Sequence, residues 1–528
     1  MSAVDGAAVA RVAREAGGSD IVEAAAGEPV QCRLRPAAVP GVAERLQALG
    51  LEPQLLTAAH TRAPADQFTL LYLFAPPTHR PSLLARVALE PQCTTFPSLA
   101  TRSFALSRFE REVHDLFGLV PAGHPDLRRL TLHQFWPDGY HPLRDSSEPP
   151  PRFADRGQPF PFRRVEGAGV FEITVGPVHA GIIEPGHFRF SVEGETIVHL
   201  ETRLGFVHKG VEKLFETLPF ERTPELAERI SGDTAVGHSL AFCQALEALA
   251  GCRIPTRAAW LRVLALELER LYNHVGDVGM IVNDTGYAFG HAHCVRLREQ
   301  LLRLNARLTG HRLLRGAVVP GGIGEPLATA PLGDAVAAAE RVVDEFAELA
   351  RMCLENTTVL ERLQGTGRLT TRTAREMQVV GVVGRASGID ADARRDAPFA
   401  AYGGADLRVP VHATGDVWAR TMVRLEETRQ SMGLIRVAAA QAGDRGVARS
   451  PLGALRPGAD AVGLVEGWRG PIWHWVTAAG PSSLARVKVV DPSFRNWPAL
   501  EYAVLNNIVP DFPLCNKSFN LSYSGNDL

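Results

Sequence analysis

The chain has no pair of cysteines at Cys-x-x-Cys spacing; its seven, Cys32, Cys93, Cys243, Cys252, Cys294, Cys353 and Cys515, are scattered. That excludes a thiol motif for a cluster or zinc ion and reads as separate, buried, reduced thiols. No run approaches the roughly 18 apolar residues a membrane span needs. The start, Met1 to Arg14, carries Asp5 and has no apolar signal core, so a cytoplasmic location is expected. Charge of one sign is lacking too: a formal net charge of -2 leaves nothing to recruit nucleic acid or an anionic membrane surface. Glycine is grouped at Gly381–Gly388, but without the Gly-x-Gly-x-x-Gly turn between strand and helix, which rejects a nucleotide site. No internal repeat is present.

What is there describes a globular protein with a sizeable interior: 45% hydrophobic and 22% charged residues. A chain of 528 residues exceeds one ordinary core, and two domains are expected. Residues 1–27 are Ala-rich and read as a flexible or helical tail. In the first domain, 28–145, Phe68 to Phe74 reads as a buried strand ended by Ala75-Pro76-Pro77, and Pro81 to Leu89 as a short helix. Residues 146–165, with Pro149-Pro150-Pro151, Pro159 and Pro161, cannot hold a helix or central strand and read as a linker. In the second domain, 166–528, Phe171–Val175 and Phe188–Val192 alternate as strands do, with His179 to Gly186 as the turn between them. The chain then becomes helical: Leu264, Leu268, Leu271, Val275 and Val278 keep steps of three and four, as do 336–352 and 417–440. These stripes read as core with no chemistry.

One stretch organises the rest. In Arg229-Ile230-Ser231-Gly232-Asp233-Thr234 two hydroxyl residues stand three apart before the helical run from Leu240, a pattern that is most often a helix cap. Its company changes its weight: Gly176-Pro177-Val178-His179, the run Gly205-Phe206-Val207-His208-Lys209-Gly210-Val211-Glu212-Lys213, and the last forty or so residues. Together these resemble the large subunits of membrane-bound nickel-iron hydrogenases and the related quinone-reducing core subunit of complex I. Earlier, Phe109 to Gly118, His124 to Arg129 and His141 to Asp145 look like the signature of the complex I 30-kDa subunit, which several relatives carry fused. By themselves Glu110, Arg111, Glu112, Arg128 and Arg129 are too charged for a core and read as a solvated or salt-bridged face, or as a partner-docking face.

The resemblance implies an α+β chain: a small α/β domain of the 30-kDa type, then a large, mainly helical domain of the hydrogenase large-subunit type with a small sheet. Nickel there needs soft thiolates, in a loop Arg-Ile-Cys-Gly-x-Cys and a C-terminal pair. Here Ser231, Thr234, Ser522 and Gly525 occupy those positions. No nickel and no other cofactor is therefore expected in this chain. Asp491-Pro492-Ser493 resembles the C-terminal motif but is set aside, because the downstream spacing fits better. The quinone ligands of complex I do not carry over, since Ile183 and Glu228 stand in their places; a quinone held otherwise stays open. What remains is a cavity edged by His179, Glu184, His187, His208, Asp233, His238 and Arg469. Glu184 matches the family's proton-passing glutamate and Arg469 the arginine above its site. With the metal gone Arg469 needs an anion, and Asp233 is the expected partner. Taken together, Glu184, His179, His187, Asp233 and Arg469 read as a proton-handling pocket. The resemblance further implies electron transfer coupled to proton movement in a hetero-oligomer, peripheral on the cytoplasmic side of the membrane. Its partners would be a small iron-sulfur subunit and antiporter-like membrane subunits. A non-catalytic bridging subunit, a quinone-reducing NADH dehydrogenase-type subunit and a hydrogenase with an unusually held metal are the alternatives.

Overall fold

A computed structural model of the chain describes residues 6–22, 29–62, 66–76, 80, 82–145, 151–154, 157, 159–180, 183–443 and 445–528. Parts of the expected tail and linker lie outside them. Within the tail, Gly6–Glu15 is a helix that buries Val9, Ala10 and Ala13, and Ser19–Val22 is an edge strand.

The first sheet has five strands in the order Ser19–Val22, Val30–Arg33, Leu83–Ala88, Gln67–Ala75, Glu52–Thr61. Only Val30–Arg33 and Leu83–Ala88 run parallel. The expected strand at Phe68 is present. The expected helix over Pro81 to Leu89 is not: Leu83–Ala88 is a strand, paired with the Gln67–Ala75 strand from Thr69↔Ala88 to Phe74↔Leu83. Leu83, Ala85 and Val87 are buried on one face, while the other passes from buried Leu84 through half-buried Arg86 to exposed Ala88, so alternation is confined to the end of the run. A short apolar run of that kind carries no period to separate strand from helix.

The helix Phe104–Phe117 begins where the Ser103 side chain accepts from the Leu106 amide and ends at Gly118, which takes a φ of 69°. Of the solvated or salt-bridged face expected, the solvated reading is corrected, since Glu110 and Glu112 are buried, while the salt-bridged one holds for Glu112 and Arg128. Glu110 accepts from Ser98 Oγ at 2.5 Å and the Leu99 amide at 2.6 Å, while Glu112 pairs with Lys488 at 2.7 Å. Asp115 takes the amides of Leu130, Thr131 and Leu132. Carbonyls of the same loop accept from Arg111 and Arg203. These charges are stabilised by partners in the segments that flank the helix and, for Glu112, by Lys488 from the far end of the chain.

Downstream, Val170–Val175, His187–Glu193 and Thr196–Arg203 form an antiparallel sheet, and the turn expected between its first two strands lies partly outside the described residues, at 181–182. Long helices follow at Ala235–Ala250, Thr256–Asp284, Leu332–Glu355 and Val417–Ala442, close to where the apolar runs place them, and at Ala288–Thr309, which no stated period marked. A second antiparallel sheet, Asp460–Glu466, Pro471–Gly480 and Ser483–Val490, precedes the helices Pro492–Ala503, Phe512–Phe519 and Tyr523–Asp527. One apolar cluster joins this sheet to the first one: Phe109, Val113 and Leu71 share it with Trp473, Trp475, Val490 and Phe494. Each such ring, fully buried, contributes roughly 1.5–3 kcal/mol, so the two ends of the chain are held by a common core.

Candidate functional site

The loop at Ser231 enters the helix Ala235–Ala250 through Asp233. Its carboxylate accepts from Ser231 Oγ and Thr234 Oγ1, both at 2.9 Å. Arg469 meets it as a fork, Nη1 to Oδ1 at 2.8 Å and Nη2 to Oδ2 at 2.7 Å. The expected partnership of these two residues is therefore formed. Burial raises the Asp233 pKa, but Arg469 and the two hydroxyls outweigh it and hold the carboxyl well below the usual carboxylate range. The Asp233 carbonyl is fixed as well, by Tyr272 Oη, Asn273 Nδ2 and Trp468 Nε1.

Arg469 owes its position to a tight hairpin. Gly467 and Gly470 exchange backbone hydrogen bonds, and Gly470 has a φ of 144° that only glycine adopts readily. That turn projects Trp468 and Arg469 inward, with the guanidinium carbon 3.8 Å from the Trp468 ring centroid.

From the far end of the chain, Ser522 caps the last helix by accepting from the Gly525 amide at 2.8 Å, and its hydroxyl lies 2.8 Å from that of Ser231. At Gly525 an added Cβ would meet Asp491 Cγ at 2.6 Å, so no side chain fits. Ser231, Thr234, Ser522 and Gly525 thus belong to one hydrogen-bonded knot. Hydroxyls engaged with one another and a glycine without room for a side chain do not fit the soft donor set a nickel centre needs. Among the described residues no group of three His, Cys, Asp or Glu side chains is placed to hold a metal ion.

The other expected residues divide. Glu184 reaches the knot, its Oε2 accepting from the Ser524 amide and Oγ at 3.1 Å. His238 lies behind the knot, 3.0 Å from Asp491 and 3.1 Å from His474. His208 binds the Asp527 carbonyl at 2.7 Å. His179 stays in its own turn, on the Gly186 carbonyl at 2.7 Å. His187 packs on Phe162, and burial lowers its pKa. His179 and His187 make no hydrogen bond to Asp233 or Arg469.

Sequence reading missed two carboxylates. Asp491, set aside as a false motif, stands directly behind Gly525, caps the helix Pro492–Ala503 and accepts from His238; Asp-Pro-Ser was a legible helix start. Glu269 lies in a helix read as core alone. It accepts from the Val236 and Gly237 amides at 2.6 and 3.0 Å, and burial pushes its pKa up to about 8. The same helix carries buried Glu267, Arg270 and His274. Arg270 holds the hairpin carbonyls of Glu466 and Gly467, and Arg385 bridges Glu427 and Glu466. A line of buried charge therefore runs from the knot into the helical body. Its sequence signal was Glu-Leu-Glu-Arg interrupting an apolar stripe.

Comparison with known proteins finds the chain similar to subunits related to complex I. Residues 284–451 match the family described as the 49 Kd subunit of respiratory-chain NADH dehydrogenase, and residues 32–152 match its 30 Kd subunit. Formate hydrogenlyase subunit 5 of Escherichia coli (strain K12) is 33% identical over 457 residues, which is 84% of this chain and 79% of that protein. The fused C/D component of NADH-quinone oxidoreductase from Phocaeicola vulgatus is 32% identical, over 62% of this chain and 66% of its own length. Among solved structures, a chain of an archaeal respiratory membrane complex, the membrane-bound sulfane sulfur reductase, superposes with a TM-score of 0.63 at 25% identity, covering 68% of this chain and 99% of that one.

Proposed function

The chain belongs to the family that fuses complex I 30-kDa and 49-kDa domains, shared by a formate hydrogenlyase subunit and the C/D components of NADH-quinone oxidoreductases, and from that premise we propose a core role in electron transfer coupled to proton movement, without a nickel-iron site. In this reading it works within a membrane-associated complex, peripheral on the cytoplasmic side. No helix among the described residues is long and apolar enough to cross a membrane. A small iron-sulfur subunit and antiporter-like membrane subunits are its proposed neighbours. The cluster would supply electrons, and a quinone is an acceptor this reading allows.

The observation that carries the proposal is the fork of Arg469 on Asp233, a fixed ion pair bonded to Ser231 and Thr234, the positions where the resemblance implies metal ligands in the hydrogenases. Glu269, beside it, retains a proton near neutral pH because burial raises its pKa to about 8. Glu184 offers a second carboxylate at the last helix. We assign Glu269 and Glu184 to holding and passing protons, the ion pair of Asp233 and Arg469 to fixing the charge beside them, and His179 and His187 to the flank. The test is turnover and proton release in the assembled complex, wild type against Asp233→Asn. Loss of turnover with assembly intact supports the reading.

A bridging role without chemistry is the second reading. It is favoured by the way the hydroxyls, Asp233 and Arg469 satisfy one another within the knot. Unchanged turnover in the Asp233→Asn complex decides for it.

A further inference from the structure

A separate cavity of about 380 Å³ lies where the Phe104–Phe117 helix meets the Thr196–Arg203 strand and the Pro492–Ala503 helix. Its size falls in the range of small-molecule sites, roughly 300–1,000 Å³. Five arginines line it, Arg108, Arg111, Arg128, Arg163 and Arg203, against three carboxylates, Asp126, Glu201 and Glu501. Two of the carboxylates are already committed. Asp126 pairs with Arg128 at 2.8 Å and with Arg163 at 3.1 Å, and Glu201 pairs with Arg128 at 2.5 Å.

That leaves Arg108, Arg111 and Arg203. None of them forms an ion pair with a carboxylate among the described residues. Arg111 donates to the carbonyls of Arg128 and Arg129, Arg203 to those of Arg129, Leu130 and Leu132, and Arg108 to the Asn526 side chain. A carbonyl satisfies an N–H without neutralising the charge. The Nε atoms of Arg108 and Arg203 are buried without a partner. Burial lowers both guanidinium pKa values to about 10, which is the response of cations short of counter-charge. Glu501 compensates poorly: it accepts from the Thr202 amide and hydroxyl, and burial raises it to about 7. The remaining walls include apolar rings and chains, Phe104, Phe160, Leu200 and Leu505, and exposed Tyr502 marks the opening.

We propose that this interdomain cavity binds a small organic anion, a phosphate or carboxylate group on an apolar body, with Arg108, Arg111 and Arg203 supplying the charge it meets. The test is isothermal titration of the full chain with hexyl phosphate, hexanoate and inorganic phosphate at constant ionic strength. One alkyl anion should bind saturably and more tightly than inorganic phosphate, which separates the two head groups and shows the use of the apolar wall. Arg108→Gln should weaken binding about tenfold, the size of one charge-assisted hydrogen bond. Glu501→Gln keeps the shape and removes the opposing charge, so it should tighten binding at pH 8; it serves as the test where Arg108→Gln fails to fold. Absence of saturable binding, or equal binding by wild type and both variants, overturns the proposal. So does an assembled complex in which a neighbouring subunit's acidic side chain fills the cavity.

Discussion

The hydroxyls of Ser231 and Ser522, 291 positions apart in sequence, lie 2.8 Å from each other. Oxygen donors that hydrogen-bond one another in this way are poor ligands for a soft metal. The chain is therefore expected to carry no stoichiometric nickel when isolated from its native complex. Elemental analysis that found nickel equimolar with the chain would end the proposal of a nickel-free site.

Arg469→Met should strand Asp233 as an uncompensated charge. Breaking a fully buried pair costs roughly 3–5 kcal/mol, but Asp233 keeps a third of its side chain exposed, so about 1–3 kcal/mol is expected. Adding Asp233→Asn should restore part of that loss in chemical denaturation. A double variant no more stable than the single one would show that the pair is not what Arg469 contributes.

Glu184→Gln retains the contacts' shape at Ser524 and removes the charge. Assembly should be intact and turnover slower, by the 10²–10⁴-fold typical of a lost proton-transfer group if that step limits the rate, an order-of-magnitude expectation. Equal turnover in variant and wild-type complexes takes Glu184 out of the mechanism.

Glu269 predicts a pH dependence with a definite sign. Its folded pKa, about 8, lies above the unfolded value, roughly 4.3. The folded state thus binds more protons in between, and the stability this group contributes is full below the unfolded value and lost as pH rises through the folded one. The slope from one group is at most ~1.4 kcal/mol per pH unit. Glu269→Gln should flatten the wild-type decline between pH 5 and 8 in denaturation curves, and parallel curves for the two proteins would contradict it.

Lys488 sits between Glu112 at 2.7 Å and Glu212 at 3.0 Å, all three buried. Lys488→Met leaves two acids without that cation and should cost roughly 3–5 kcal/mol. Glu112→Gln combined with it should recover part of the loss. Denaturation midpoints unchanged by Lys488→Met would show that the buried triad contributes nothing.

Much of this architecture was legible in the residues. Periods of three and four marked the long helices at Leu264, 336–352 and 417–440, and alternation marked the hairpin around His179. The pairing of Asp233 with Arg469 followed from asking what a buried guanidinium requires. Glu110, Glu112, Glu267, Glu269 and Arg270 were hidden for the opposite reason. Charge reads as solvent-facing until its partners are known, and those partners, Lys488, Glu427 and the Val236 amide among them, come from other parts of the chain. Pro81 to Leu89 misled because only the end of the strand, from Ala85 to Ala88, alternates, which is too short a stretch to separate strand from helix. Asp491 was visible as a helix cap, but nothing local places it behind Gly525.

The core that Trp473, Trp475 and Phe494 share with Phe109 and Leu71 changes what dividing the chain between them would mean. Two separate polypeptides would have to find each other at cellular concentration and in matched amounts before either could cover those rings. As parts of one chain, the two regions meet at the effective concentration of covalently joined segments, commonly in the millimolar range. Synthesis of one chain then delivers both halves in a one-to-one ratio, and neither waits in solution with its aromatic face uncovered.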